Sequence, residues 1–380
     1  MTAWIRSLNP LLAGCALLLF AIGVFCLETI APEEAPAMGG FASKQMMFGL
    51  LGVTVMVALS LIHFSRLERF AYPMYLTGLA VLVALLVLTR PVRGVRAWFS
   101  FGGFTIQPSE FVKIALVIAM ARFVSRVGAW TIRDVAKLLA LAAVPIGLVV
   151  VQPDLGMCVV MSFSVFAIMV AGRVPWRVIG TLMGTIVLMA PILFLVGLRE
   201  YQRQRILALV VPEKAERGMG DQQSQALRLF SSGGWVGKGL GEASLAPPYY
   251  LPERHNDFIF SIVGEEMGFV GTALVLILYG AVLLVCLRAA ARHRDPFPRV
   301  AMVGLLSLFY MQIFSNIGMT LGLLPVTGLT LPFLSYGGSS LLSSFVIVGA
   351  MLSIAGHWKP SFSDRELPEY TYELALPCMR

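Results

Sequence analysis

Charge is what this chain has least of. Only 13% of its 380 residues are Asp, Glu, Lys or Arg, about half the roughly 25% of a soluble domain. Hydrophobic residues make up 58%, and the mean hydropathy is +0.81. An ordinary water-soluble globule is excluded. The five cysteines form no CxxC pair: Cys15, Cys26, Cys158 and Cys286 lie in or beside apolar runs and Cys378 lies in the tail. Neither a disulfide framework nor a metal knuckle is indicated. A GxxxxGK[ST] phosphate loop is missing. So is a small-residue cleavage site after the first apolar run, where Glu28, Glu33 and Glu34 follow instead, so that run is expected to be a retained helix. The net charge of +8 does not read as nucleic-acid binding, because Lys and Arg sit in short links between apolar runs, where they encode membrane orientation.

What the chain has is apolar segments near the ~20 residues that cross a bilayer. They fall near 10–27, 45–64, 70–89, 108–124, 135–151, 155–172, 177–198, 259–287, 300–323 and 339–357. The expected architecture is an all-α polytopic membrane protein, one domain over 1–380, with ten transmembrane helices. A single large loop, about 199–257, separates helices seven and eight. The links after helices two, four, six and eight hold Arg66 and Arg69; Arg122, Arg126 and Arg133; Arg173 and Arg177; and Arg292, Arg294 and Arg299. By the positive-inside rule those links are cytoplasmic. Residues 28–44 set three acids against Lys44, a net charge of minus 2 on the other side. An even helix count puts both termini, including the short acidic tail 358–380, in the cytoplasm.

Polar residues intrude on the outer side only in a few places. LPERHNDFIFSIVGEE, 251–266, brings His255 and Asp257 to the start of an apolar run, and an acid at a membrane boundary is costly enough to suggest function. TRPVRGVRAWFSFGGFTIQ carries Arg90, Arg93 and Arg96 where basic residues are normally sparse. Those side chains either anchor helix ends or bind an anion in bidentate fashion, and the local exception favours the anion. In QPSEFVKIA, Glu110 and Lys113 share one helix face, as a site pair or as a structural pair that neutralises itself. Asp154 in QPDLG reads first as a helix cap. The long loop holds SSGGWVGKGLG with Lys238, a weak phosphate signal, and begins with LREYQRQRILALVVP, which reads as an interfacial helix. GLLPVTGLTLPFLSYGGSSLL interrupts an apolar region with Pro and Gly. Such backbone is tolerated at membrane depth only where protein or a wet cavity covers it, so Ser335, Tyr336, Ser339 and Ser340 are expected to line an outward cavity.

Taken in order, RGVRAWF, GGFTIQPSEFVKIA, QPDLG, YQRQRI, SGGWVGKGL, LPERHNDFIFSIVGEEMGF and LLPVTGLTLPFLSYGGSSLL resemble the SEDS family of cell-wall polymerases over nearly the whole chain. QPDLG, the tyrosine of AYPMYL and PVTGLTLPFLSYGG are more similar to the RodA branch of elongation than to the FtsW branch of division. The resemblance implies a peptidoglycan glycosyltransferase of the cytoplasmic membrane that polymerises lipid II at its outer face. It implies Asp257 as general base, and Arg93, Arg96 and Lys238 as neutralising groups for undecaprenyl pyrophosphate. Glu110, Lys113, Asp154, His255, Ser335, Ser339 and Ser340 become candidate substrate contacts. It also implies a class B penicillin-binding protein as partner, because the chain carries no soluble transpeptidase domain. A divalent cation, Mg or Mn, would suit the pyrophosphate, yet no ligand cluster for one stands out.

The chain departs from the family pattern at Asn256, where Thr is usual, at Gly220-Asp221-Gln222 and at Glu242-Ala243-Ser244. Substrate contacts in the long loop are the part this puts in doubt. Two other readings fit the same features, a lipid II flippase and a non-catalytic scaffold. Polymer formation discriminates against both.

Overall fold

The computed structural model describes residues 9–34, 40–89, 96–101, 104–192, 194, 197, 200–210, 219–239 and 255–357. Twelve helices occur among them. The helices are α1 (Pro10–Glu34), α2 (Phe41–Leu61), α3 (Phe64–Leu88), α4 (Ser109–Val124), α5 (Ile132–Val151), α6 (Leu155–Ala171), α7 (Trp176–Ile192), α8 (Glu200–Val210), α9 (Met219–Ser232), α10 (Ile259–Arg292), α11 (Pro296–Thr320) and α12 (Gly338–Gly356). Apolar runs in lipid have no water to satisfy their amides, so the backbone must close its own hydrogen bonds as helix. Local sequence fixes several starts. The His63 ring accepts from Ser65 N–H at α3, Thr131 and Asp134 form a reciprocal capping box at α5, and Asp154 accepts from Met157 N–H at α6.

Each of the ten expected segments overlaps a helix. Seven helices (α1, α2, α3, α5, α10, α11 and α12) are long and apolar enough to cross a membrane. The chain is a polytopic helical membrane protein. By contrast α4, with 16 residues, and α6 and α7, with 17 each, extend only about 24–26 Å at 1.5 Å per residue, short of a ~30 Å hydrocarbon core.

Three expectations are corrected. First, the fold is not wholly helical: β1 (Phe99–Phe101) pairs antiparallel with β2 (Phe104–Ile106), Phe99 opposite Ile106. Second, the link expected after helix two is mostly helix, because α3 already begins at Phe64 and carries Arg66, Glu68 and Arg69 in its first turns. Charge marks the aqueous boundary there, while the backbone stays helical across it. Third, the long loop contains α8, a helix over part of the stretch expected to be helical, and also α9, whose Gln223, Ala226 and Leu229 are buried. Two more helices in the loop follow from its length, since about 60 residues of bare loop would leave too many amides unsatisfied.

The packing centres on α11, which runs against α4, α6 and α10, while α12 lies along α2. By contrast α7 hardly joins the bundle: only Ile179 is buried on it, and Val187 and Leu188 are 72% and 76% exposed. Its apolar surface is left for lipid or an acyl chain.

Candidate functional site

Among the described residues, the polar segments expected on the outer side come together at the end of the bundle where α4, α6, α10 and α12 begin and α11 ends. Asp257 sits in a turn immediately before α10. Its carbonyl accepts the Asn316 side-chain amide at 2.8 Å, and the same nitrogen donates to Leu329 O at 2.7 Å. Both amide protons are thus used on carbonyls of two different segments, which fixes the amide's orientation. Asn316 is fully buried on α11, and its Oδ1 has no partner among the described residues. The Asp257 carboxylate faces Gly328, whose φ is 72°; a Cβ built there would stand 3.8 Å from Oδ2. Asn316 was not among the residues expected at this site. An isolated Asn in an apolar helix, a turn from its end, was the available signal.

His255 is placed two residues away by three contacts. Its ring stacks on Phe41 at 4.2 Å and 14°, it lies 6.0 Å from the Tyr336 ring, and its carbonyl accepts Tyr336 N–H at 2.9 Å. The irregular segment 321–337 then closes the floor. Within it Phe333 holds φ 69°, rare for an aromatic residue, with its ring packed between Phe309 and Phe345 and Tyr279 Oη donating to Pro332 O at 2.6 Å.

The serines are committed to this framework. Ser335 Oγ accepts Leu331 N–H at 2.8 Å, and Ser335 O accepts Gln45 Nε2 at 3.0 Å. Ser339 Oγ accepts Gln107 N–H at 3.0 Å and donates to Thr105 O at 3.2 Å, tying α12 to the hairpin. Ser340 Oγ bonds Thr330 Oγ1 at 2.5 Å. All three are buried, so they brace the segment that was expected to show them to a cavity. Gln107 also donates to Asp154 Oδ2 at 2.9 Å, while Oδ1 caps α6 at 3.0 Å. Burial pushes the Asp154 carboxyl above its ordinary range, and the Met157 N–H and Gln107 hydrogen bonds pull the other way.

Glu110 and Lys113 form a buried pair, and Ser343 Oγ of α12 donates to Glu110 Oε2 at 2.5 Å. With 3% and 0% exposure they lie between α4 and α12, enclosed by protein. The reason is mutual neutralisation: each charge supplies the partner that makes burial tolerable. Arg96 is exposed and donates to Leu86 O at 3.0 Å, at the carbonyl end of α3. Arg90 and Arg93 lie outside the described residues.

Lys238 departs most from expectation. Its Nζ donates to Glu265 Oε1 at 2.6 Å, and Glu265 is 1% exposed. Around it the Gly-rich run 233–239 docks edge-on against a kink in α10. Gly268, at φ 61°, breaks the helix there, so Lys238 N reaches Glu265 O at 2.9 Å, Phe269 N reaches Gly234 O at 2.9 Å and Val270 N reaches Trp235 O at 3.1 Å. A Cβ on Gly237 would come within 2.0 Å of Glu266 O. The glycines permit backbone contact with a helix rather than cradling phosphate.

Among the described residues no three of His, Cys, Asp and Glu cluster as a metal site requires. Asp154 has both oxygens engaged by hydrogen-bond donors. The donor set of the described residues therefore offers no ready site for a divalent cation.

Comparison with known proteins bears on this arrangement. The sequence matches a family model described as a cell cycle protein, FTSW_RODA_SPOVE, over residues 9–359. It is 35% identical over 310 residues to the peptidoglycan glycosyltransferase MrdB of Escherichia coli K12, spanning 81% of this chain and 84% of that one. To the probable peptidoglycan glycosyltransferase FtsW of Trichlorobacter lovleyi it is 34% identical over 330 residues, spanning 84% of each. Its fold resembles a chain of a peptidoglycan synthase complex that coordinates polymerization and crosslinking, with TM-score 0.79, 29% identity and coverage of 95% and 99%. It likewise resembles the Rod shape determining protein RodA of Thermus thermophilus, with TM-score 0.69, 30% identity and coverage of 92% and 96%.

Proposed function

The chain belongs to the FtsW/RodA/SpoVE family of cell cycle proteins, and from that premise we propose that it is a peptidoglycan glycosyltransferase polymerising lipid II, with Asp257 as general base. In the step proposed, the GlcNAc 4-hydroxyl of one lipid II attacks the MurNAc anomeric carbon of another. A glycosidic C–O bond forms, the C–O bond to pyrophosphate breaks, Asp257 takes the hydroxyl proton, and undecaprenyl pyrophosphate leaves. The observation that carries this reading is the position of Asp257. Its carboxylate stands at the rim of the bundle while its backbone is held from α11, so it is reachable from water yet fixed in place. General-base catalysis contributes roughly 10²–10⁴ in rate.

Arg96, exposed beside the hairpin, and Arg93 are proposed to neutralise the leaving pyrophosphate. Lys238 is assigned a bracing role through Glu265, and Glu110, Lys113 and the serines shape the floor beneath the substrate. Apolar flanks such as α7 suit the polyprenyl chains. We take all ten apolar helices as spans, with both termini in the cytoplasm and Asp257 facing outward from the inner membrane. The sequence blocks QPDLG and PVTGLTLPFLSYGG favour elongation over division. The likeness to a subunit of a synthase complex supports a class B penicillin-binding protein as partner. The test is polymerisation of lipid II by the purified chain with that partner. Wild type is expected to make glycan strands and Asp257→Ala to lose them; undiminished polymer from the variant, or none from wild type, overturns the assignment.

A further inference from the structure

At the end of the bundle opposite Asp257 lies a cavity of about 310 Å³ formed where the α4–α5, α6–α7 and α10–α11 links meet. That is the lower end of the ~300–1,000 Å³ usual for small-ligand sites. Arg173 and Arg299 both line it, together with Trp130, Val127, Ala129 and Val300. Basic residues at this end have an obvious general role in setting orientation, and most need no other. Arg122 illustrates a further structural use: its Nη1 donates to Glu68 O and Arg69 O at 2.8 Å each, and its guanidinium lies 4.9 Å over the Tyr72 ring. Arg173 and Arg299 differ from it, since neither makes a side-chain hydrogen bond or ion pair with another described residue.

Their placement is also not what helix stability alone would choose. Arg173 is held at φ 57°, in the left-handed region that costs a non-glycine residue strain. Arg299 lies in the first turn of α11, where the helix dipole disfavours a cation and favours an anion. The starts of α5 and α7 border the same cavity through Trp130 and Pro175. Trp130 Nε1 donates to Gly172 O at 3.0 Å, fastening one link to the end of another helix. On the links that form the cavity, Asp134 is engaged with Thr131, and Asp295, next to Pro296, makes no capping hydrogen bond at α11.

We infer that Arg173 and Arg299 form a phosphate-binding cleft that holds the headgroup of an anionic membrane lipid at the end of the bundle remote from Asp257. Guanidinium groups match phosphate oxygens in bidentate fashion. The apolar wall of Val127, Ala129 and Val300, with the 70%-exposed Trp176 beside it, favours a lipid over free phosphate, because its acyl chains have somewhere to lie. The cleft is separated from Asn316 by seventeen residues of α11, about 25 Å. It is therefore independent of the polymerase reading.

The experiment uses the full chain in a neutral detergent. Thermal unfolding and native mass spectrometry are run with phosphatidylglycerol, with phosphatidylcholine and with inorganic phosphate. Phosphatidylglycerol is expected to remain bound and to raise Tm, phosphatidylcholine is not, and phosphate at equal concentration is not. Arg173→Gln and Arg299→Gln should each weaken phosphatidylglycerol binding about fivefold, and the pair about twenty-five-fold. Arg173→Lys with Arg299→Lys, which keeps charge and fold but loses the planar fork, should fall between wild type and the Gln pair. Equal protection by inorganic phosphate overturns the lipid assignment. An equal loss from the control pair Arg133→Gln with Arg177→Gln, on the same end but outside the cavity, overturns the cleft in favour of general surface charge. Undiminished binding by the Gln pair overturns it outright.

Discussion

Replacing Asn316 with Ala tests whether Asp257 works because it is held. The wild-type amide donates to Asp257 O at 2.8 Å and Leu329 O at 2.7 Å from a site with no solvent exposure. Ala removes both donors and leaves two carbonyls seeking partners, at about 1–3 kcal/mol for each that water does not reach. Helix-to-helix hydrogen bonds in membranes average nearer 0.6 kcal/mol, so about 1–6 kcal/mol brackets the stability loss for the two bonds together. The effect on rate should exceed what stability implies. The turn carrying Asp257 would be free to move relative to the 328–330 segment, and a 1 Å misplacement can cost about a hundredfold. Asn316→Asp should behave as badly, because a carboxylate accepts and cannot donate. The assay is lipid II polymerisation at a temperature where each variant is shown folded by its Tm. The sharper measurement is a cycle with Asp257→Ala. If Asn316 acts through Asp257, the double variant is no slower than Asp257→Ala alone. Independent, multiplying losses would refute the reasoning, as would a folded Asn316→Ala with wild-type turnover.

Other consequences follow from the clamp and from the end of the bundle opposite Asp257. Lys238→Ala removes the ion pair to the buried Glu265 carboxylate and should cost about 2–3 kcal/mol, less than the ~3–5 of a fully buried pair because Lys238 is a third exposed. Lys238→Met with Glu265→Leu should restore most of the lost Tm, and no recovery would argue against the pairing. Gly268→Ala forces a side chain into φ 61° and within 2.3 Å of Gly237 N; the backbone alone costs about 1–3 kcal/mol, and proteolysis within 219–239 should accelerate. His293 lies in the link after α10, where burial lowers its pKa, opposed by its bond to Ile354 O and by Asp295. A base with a depressed folded pKa stays neutral when folded but takes up a proton when unfolded. Stability should therefore fall as pH drops below about 6.5. His293→Gln, which keeps a donor and does not titrate, should flatten that slope in Tm against pH.

Much of the fold was legible because lipid removes choices: an apolar run of sufficient length must be helix, and the ten runs are helical. Boundaries were less legible, as at α3, because charge reports the water interface and says nothing about where backbone hydrogen bonding stops. The hairpin was readable in principle from FSFGGFTI, alternating apolar residues about a Gly-Gly pair, but three-residue strands vanish beside helices seven times longer. In the site, the residues whose chemistry looks reactive were noticed, and several turned out to hold structure. Ser335, Ser339 and Ser340 serve buried carbonyls and amides, Glu110 and Lys113 serve each other, and Lys238 serves Glu265. A side chain's partner depends on contacts hundreds of residues away, such as Gln45 with Ser335, and no local pattern encodes that. Asn316 was missed for the same reason in reverse, since its importance comes wholly from the two carbonyls it meets.

The distribution of charge by depth separates a polymerase from a transporter. A carrier that moves a charged lipid headgroup across the bilayer needs ionisable or wet groups near the midplane, where its site alternates between faces. Here Glu110 and Lys113 lie in the first turn and a half of α4 and are closed on each other and on Ser343. The deepest acids of α10, Glu265 and Glu266, are six and seven residues from its start, about 10 Å, and the loop clamp docks against the backbone of both. Asp154 and Asp257 stand at helix starts, outside the spans. Acid within the bundle is thus concentrated towards the end that carries Asp257, with the Glu110–Lys113 pair beneath it, which suits chemistry at a surface. The reading predicts that Asp257→Ala abolishes polymer in detergent micelles, where there is no second compartment and translocation has no meaning. If that variant were defective only in sealed vesicles, with polymerisation in micelles intact, one-ended charge would have to be explained as a gate.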